Sequence, residues 1–131
     1  LDEIREHGVR DYPYECCGLL LGRYRQDGKV VSETYPISNA REESAKRNRF
    51  LIEPRELMQG ERYARDKDLE VVGFYHSHPD HPARPSQYDL DHAFPFFWYV
   101  IVSIQHAQPE KMTVWRLADD RSQFREAQLQ E

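Results

Sequence analysis

The chain has little sulfur. Its 131 residues include two cysteines, adjacent at Cys16 and Cys17, which can neither form a disulfide framework nor supply a CxxC metal site. Both sit beside an apolar run and are expected to be buried thiols, a usage that suits a reducing cytoplasm. Long apolar runs are missing too. No stretch approaches the roughly 18 apolar residues of a membrane span, so no membrane partner is expected and the protein is read as cytoplasmic. A basic surplus is also lacking. With 18 Lys and Arg against 23 Asp and Glu, the formal net charge is −5. The basic residues are interleaved with acids, as in "AREESAKRNR" (40–49), whereas a nucleic-acid partner needs them clustered. That run reads as a solvated loop.

What is present suits one globular domain spanning 1–131. Hydrophobic residues make up 39% and charged residues 31%, enough to bury a single core. Residues 1–11 read as the end of a helix with Ile4 and Val9 as its apolar contacts. "CCGLLLGRY" (16–24) has the length of a buried strand. "GKVVSETYPISN" (28–39) reads as its partner across a turn at 26–29. "RFLIEP" (49–54) reads as a short strand stopped by Pro54. A helix over 54–68 follows, with Pro54 in its first turn and a partial stripe of Leu57, Met58 and Tyr63. "EVVGFYHSH" (70–78) is a strand, and "FFWYVIVSI" (96–104) reads as a central strand buried on both faces. After the loop "QHAQPE", "KMTVWRL" (111–117) is a further strand, and 122–131 suits either a last strand or a frayed helix. The order β-β-β-α-β-α-β-β predicts a mixed α/β or α+β domain with a central sheet flanked by helices.

The segment "YHSHPDHPARPSQYD" (75–89) holds three of the six histidines. His76 and His78 are two apart on a strand, so both imidazoles project to one side while Ser77 points away. Two imidazoles on one face can share a zinc ion, and a catalytic zinc needs a third protein ligand with the fourth position left open. Pro79, Pro82 and Pro85 stop the strand and stiffen the loop. "SQYD" then starts a short helix from Ser86 to about Ala93, and Asp89 in its first turn could return a carboxylate to the histidines. Ser86-x-x-Asp89 is equally an N-capping arrangement; taken alone, capping is the ordinary reading. His92, three residues past Asp89, competes as third ligand or as a residue supporting the ligands from behind. His81 and Asp80 read as exposed rim residues, and His7 and His106 as surface histidines.

These residues resemble the JAMM (MPN+) metalloproteases of the Mov34/MPN type. His76-Ser77-His78, seven residues, then Ser86-x-x-Asp89 matches that family's signature, with Pro79 in its usual place. "ECCGLLLG" (15–22) is similar to the family's upstream glutamate segment, and "RFLIEPREL" (49–57) to the strand-into-helix segment of compact prokaryotic members. The resemblance spans at least 15–104. It implies a cytidine-deaminase-like architecture, with His76, His78 and Asp89 on Zn²⁺, Glu15 as general acid/base and Ser86 as an oxyanion donor. It also implies a ubiquitin-like or sulfur-carrier protein, or its conjugate, as substrate. Local sequence does not mark Glu15 among the 23 acids.

The leading expectation is therefore a zinc-dependent peptidase or isopeptidase acting on the C-terminal tail of a ubiquitin-like protein. A zinc-activated water would attack, Glu15 would move its proton, and Ser86 would steady the developing charge. The alternative is a non-catalytic, zinc-stabilised binding module of the MPN type, in which a fourth side chain closes the coordination. Zinc nucleobase deaminases use a related water but require a PCxxC pair, which Cys16-Cys17 cannot provide.

Overall fold

The computed structural model describes residues 2–25, 28–39, 52–91, 93, 97–117 and 123–127. In chain order these form α1 (Asp2–Asp11), β1 (Cys17–Arg25), β2 (Gly28–Ile37), α2 (Pro54–Asp66), β3 (Glu70–Pro79), α3 (Gln87–Asp91), β4 (Trp98–Gln105), β5 (Gln108–Leu117) and β6 (Phe124–Ala127). The strands make one six-stranded sheet in the order β2-β1-β3-β4-β5-β6. β3 and β4 run parallel, joined through the proline loop and α3, and every other pair is antiparallel. The fold is the mixed α+β sheet that the sequence pattern predicts.

Burial follows strand alternation. Leu20, Val72, Tyr75, Val100, Val102, Ile104 and Val114 pack on one face with Ile4 of α1. Cys17, Leu19, Leu21, Phe74, Tyr99 and Leu117 pack on the other with Ala64 of α2. Apolar side chains are thus needed on both sides of β1 and β4, which is why their sequences read as unbroken runs. The two helices approach through glycine. A Cβ at Gly8 would lie 2.8 Å from Ile104 Cδ1, and one at Gly60 would lie 2.3 Å from Leu19 Cδ1.

Several expectations change. Val9 is exposed, and α1 buries His7 and Gly8 beside Ile4 instead. On α2 the inner face is Gly60 and Ala64 with half-buried Leu57, while Met58 is exposed and Tyr63 packs at the rim against Tyr35, ring centres 5.3 Å apart. Small residues let the helix lie closer to the sheet than a stripe of large ones would. The strand expected at 49–54 is not seen at Ile52 and Glu53, which precede α2 outside the sheet. Residues 49–51, the charged run 40–49 and Gln26-Asp27 lie outside the described residues. The tail residues 124–127 form a strand against β5.

The expected loop "QHAQPE" is a two-residue hairpin turn. Gln105 pairs with Gln108, and His106 and Ala107 between them have φ of 50° and 66°. Such turns normally announce themselves through Asn-Gly; His-Ala gives no such signal. A left-handed backbone costs an L-residue roughly 1–2 kcal/mol, partly offset for glycine by its greater unfolded-state entropy. Ala107→Gly is expected to stabilise the protein by about 1 kcal/mol, read as a raised urea midpoint with an unchanged slope. A lowered midpoint would contradict the turn geometry.

Candidate metal centre and active site

The site forms where β3 leaves the sheet. β1 and β3 pair so that Cys17 faces His76 and Gly18 faces Tyr75. Extending this antiparallel register by two residues sets Glu15 beside His78, on the face that carries both histidines. A sequence separation of 63 residues therefore becomes one strand spacing. Glu15 is buried at 4% exposure, and its Oε1 is sealed from solvent without a hydrogen-bond partner.

His76 Nε2 lies 3.1 Å from His78 Nε2, and both lie close to one carboxylate oxygen, Asp89 Oδ2, at 3.2 Å and 3.1 Å. Donors around a four-coordinate zinc, at roughly 2.0–2.1 Å per bond, stand about 3.3 Å apart. The three observed spacings are close to that edge length. The proton inventory points the same way. His78 Nδ1 lies 2.9 Å from the Pro82 carbonyl oxygen, which can only accept, so Nδ1 carries the hydrogen. The neutral ring then turns an Nε2 lone pair toward a carboxylate. Lone pairs this close repel unless a cation or a shared proton stands between them, and three donors converging at these spacings fit a divalent ion. Among the described residues, His76, His78 and Asp89 form the group able to hold a metal.

The capping and ligand readings of "SQYD" are compatible. Ser86 Oγ accepts from Asp89 N at 3.1 Å, and Ser86 N donates to Asp89 Oδ2 at 2.9 Å. This reciprocal box starts α3 and also aims Oδ2 at the histidines. Ser86 itself is exposed, and an oxygen that accepts from Asp89 N still has its own O–H to donate.

The intervening loop is held carbonyl by carbonyl. The His81 carbonyl accepts from Ser103 Oγ, that of Pro82 from His78, and that of Ala83 from Thr113 Oγ1 at 2.6 Å. Ser103 and Thr113 had no sequence signal as loop anchors, because their register becomes visible only once β4 and β5 are paired. His81 is an exposed rim residue as expected. Asp80 is exposed too, yet its carboxylate accepts from Tyr12 Oη at 2.6 Å and from His106 N at 2.8 Å, tying the loop to the turn after α1 and to the β4–β5 turn. His106 is exposed, as expected. His92 lies outside the described residues. His7 corrects its reading as a surface histidine: it is buried between Tyr75 Oη at 2.7 Å from Nδ1 and Asp11 Oδ2 at 3.1 Å from Nε2. Its i,i+4 spacing from Asp11 was the available clue. Burial holds its pKa below the ordinary value although Asp11 pulls it upward.

Electrostatics separate the two carboxylates. Burial pushes Asp89 upward, but the neighbouring His76 and the Ser86 N–H override it, and the group lies well below the usual carboxylate range. Burial, with Asp89's negative charge added, pushes Glu15 up to about 9. Cys16 is likewise pushed up by burial to about 12, and Cys17 is raised for the same reason. Both are buried free thiols, as expected.

Three comparisons bear on the chain. A family model described as prokaryotic homologs of the JAB domain matches residues 1–118. Among curated relatives, a desampylase of Haloferax volcanii is 34% identical over 104 residues, covering 79% of this chain and 72% of that protein. A probable TtuB-protein conjugate cleaving protease of Thermus thermophilus is 31% identical over 93 residues, covering 71% and 58%. A CysO-cysteine peptidase of Mycobacterium tuberculosis is 30% identical over 115 residues, covering 86% and 75%. Of solved structures, a Salinibacter ruber protein aligns with 98% of this chain and 85% of its own at TM-score 0.78 and 45% identity. A JAB1/MPN domain protein of Archaeoglobus fulgidus aligns over 98% and 86% at TM-score 0.58 and 22% identity, a likeness of fold.

The raised Glu15 carries a signed pH dependence. In the metal-free protein a group with a folded pKa near 9 and an unfolded one near 4.5 binds its proton more tightly when folded. Stability from that proton is complete below about pH 4.5 and is lost as pH rises toward 9, at no more than about 1.4 kcal/mol per unit. Glu15→Gln lacks this loss. The metal-free variant is expected to be more stable than wild type at pH 8, with the gap closing toward pH 4.5 in urea titrations. A gap that does not change with pH would mean Glu15 is ionised in the folded metal-free state.

Proposed function

The chain belongs to the prokaryotic homologs of the JAB domain, and we propose that it is a zinc-dependent isopeptidase or peptidase acting at the C-terminal tail of a ubiquitin-like, sulfur-carrier-type protein. One observation carries the reading: His76 Nε2, His78 Nε2 and Asp89 Oδ2 converge within 3.2 Å on the same sheet face as a buried acid whose carboxyl feels Asp89's charge. The relatives named as a desampylase, a TtuB-protein conjugate cleaving protease and a CysO-cysteine peptidase support a hydrolase of this substrate class.

His76, His78 and Asp89 would hold the zinc, three protein donors being the number that leaves a position open. When bound, zinc would polarise the substrate carbonyl and bring the pKa of a water toward ~7. Glu15 would accept the attacking water's proton at its carboxylate and deliver it to the leaving nitrogen as the C–N bond breaks. The Ser86 O–H would donate to the carbonyl oxygen as charge gathers there, a contribution on the order of 3 kcal/mol for a well-aimed donor. The rival reading, a non-catalytic module, needs a fourth protein donor. The buried acid beside the three-donor set favours catalysis.

The test is incubation of the zinc-loaded protein with fusions of ubiquitin-like proteins to a reporter, with and without chelator. Chelator-sensitive cut at the tail is expected. Glu15→Gln should keep about one zinc per chain and lose at least ~100-fold in rate, while Asp89→Ala should lose the metal as well. Undiminished cleavage by Glu15→Gln would remove it from its assigned role. If no fusion is cut in a chelator-sensitive way, the substrate class is wrong.

A further inference from the structure

We propose that Ser77 and Asn39 are positioning residues that clamp the single peptide unit from which the Glu15 side chain is aimed. The inference rests on the isopeptidase reading for its catalytic consequence, although the clamp itself is structural. Three strand ends lie side by side here, with Ile37 of β2 paired to Cys17 of β1 and Cys17 paired to His76 of β3. Just beyond that row, Asn39 Nδ2 donates to the Glu15 carbonyl oxygen at 3.1 Å, and Ser77 Oγ accepts from Cys16 N at 2.8 Å. That carbonyl and that N–H belong to one peptide plane. Two side chains from two different neighbouring strand ends therefore hold both of its polar groups.

The clamp matters because of what Glu15 lacks. It lies before the first residue of β1, where fewer ladder bonds hold the backbone than hold it at Cys17. Its Oε1 is buried without a hydrogen-bond partner, so no bond at that oxygen orients the carboxyl. The backbone at Glu15 is then a determinant of where the side chain points. Ser77 is fully buried and alternates to the sheet face opposite His76 and His78, so it acts through the Cys16 N–H. A backbone bond from Ser77 N to Cys16 O at 3.2 Å completes the attachment. The residue between the two histidines thereby references the proton-moving acid to the very strand segment that carries them. Displacement of a catalytic group by about 1 Å can cost on the order of 100-fold in rate.

Ser77→Ala and Asn39→Ala are the test variants, measured with a fusion substrate that the wild type cleaves. Each should lower kcat by roughly 10- to 100-fold, with KM within about twofold and one zinc retained. The double variant should lose less than the product of the single losses, because both act on one peptide. Added to Glu15→Gln, neither should slow the residual rate further. A readout independent of turnover is amide hydrogen exchange in the metal-free protein: Cys16 N–H should exchange faster in Ser77→Ala, with the β3–β4 ladder unchanged. If no substrate is cut, the isopeptidase reading falls, while the exchange data and the Glu15 conformation in variant crystals still decide the clamp. Should Ser77→Ala fail to fold, half-buried Asn39 carries the test alone. A kcat within twofold of wild type, a loss that tracks zinc content, or unaltered Cys16 exchange in Ser77→Ala would overturn the proposal.

Discussion

The arrangement depends on the antiparallel ladder that sets Cys17 opposite His76. Backbone pairing specifies register, and a slip of one residue would turn every side chain of the strand to the other face. Here a slip of β3 would turn both imidazoles toward α1 and expose the opposite core set to the α2 side. The apolar residues prevent this: Leu19 and Phe74 must face α2 while Leu20 and Tyr75 face α1. The hydrophobic pattern that folds the sheet thus also places the imidazoles. Metal chemistry needs donors placed to a few tenths of an ångström, and a central strand buried on both faces supplies that precision better than a loop.

Asp89 is the one donor that does not come from the sheet, and its placement needs more parts. A carboxylate on a five-residue helix has few packing contacts of its own. The preceding loop compensates by surrendering three successive carbonyls to Ser103, His78 and Thr113, while Asp80 anchors its first turn. His78 serves twice in this scheme. Its Nδ1 hydrogen bond to Pro82 steadies the loop and fixes the tautomer that frees Nε2 for a metal. The proline-rich spacer is therefore tied to the histidine it follows.

How much of this was legible in the sequence depended on the range of the interaction. β1, β3 and β4 were readable because burial on both faces writes continuous apolar runs. The convergence of His76, His78 and Asp89 was readable because strand alternation and a first helical turn are local geometry. Glu15 was a different case. Nothing around it distinguishes an acid bound for a metal site from an exposed turn acid, and only the family resemblance pointed to it. His7 was misread for a related reason: burial of a polar residue requires a partner such as Tyr75, sixty-eight positions away. Ser103 and Thr113, like the His-Ala turn, derive their roles from cross-strand registers that no local composition reveals.

The two carboxylates respond to their surroundings in opposite directions. Asp89 is favoured as the anion by the neighbouring His76 and a backbone N–H, whereas Glu15 has burial and a neighbouring negative charge against it. Two anions in so dry a setting oppose each other, and burial together with Asp89's charge favours the protonated form of Glu15. A divalent cation among the three donors would balance both charges at once. Its attraction would lower the Glu15 pKa toward the range in which a carboxylate can accept a proton at neutral pH. In the proposed mechanism, the acid's burial would tie its ionisation to occupancy of the three-donor set.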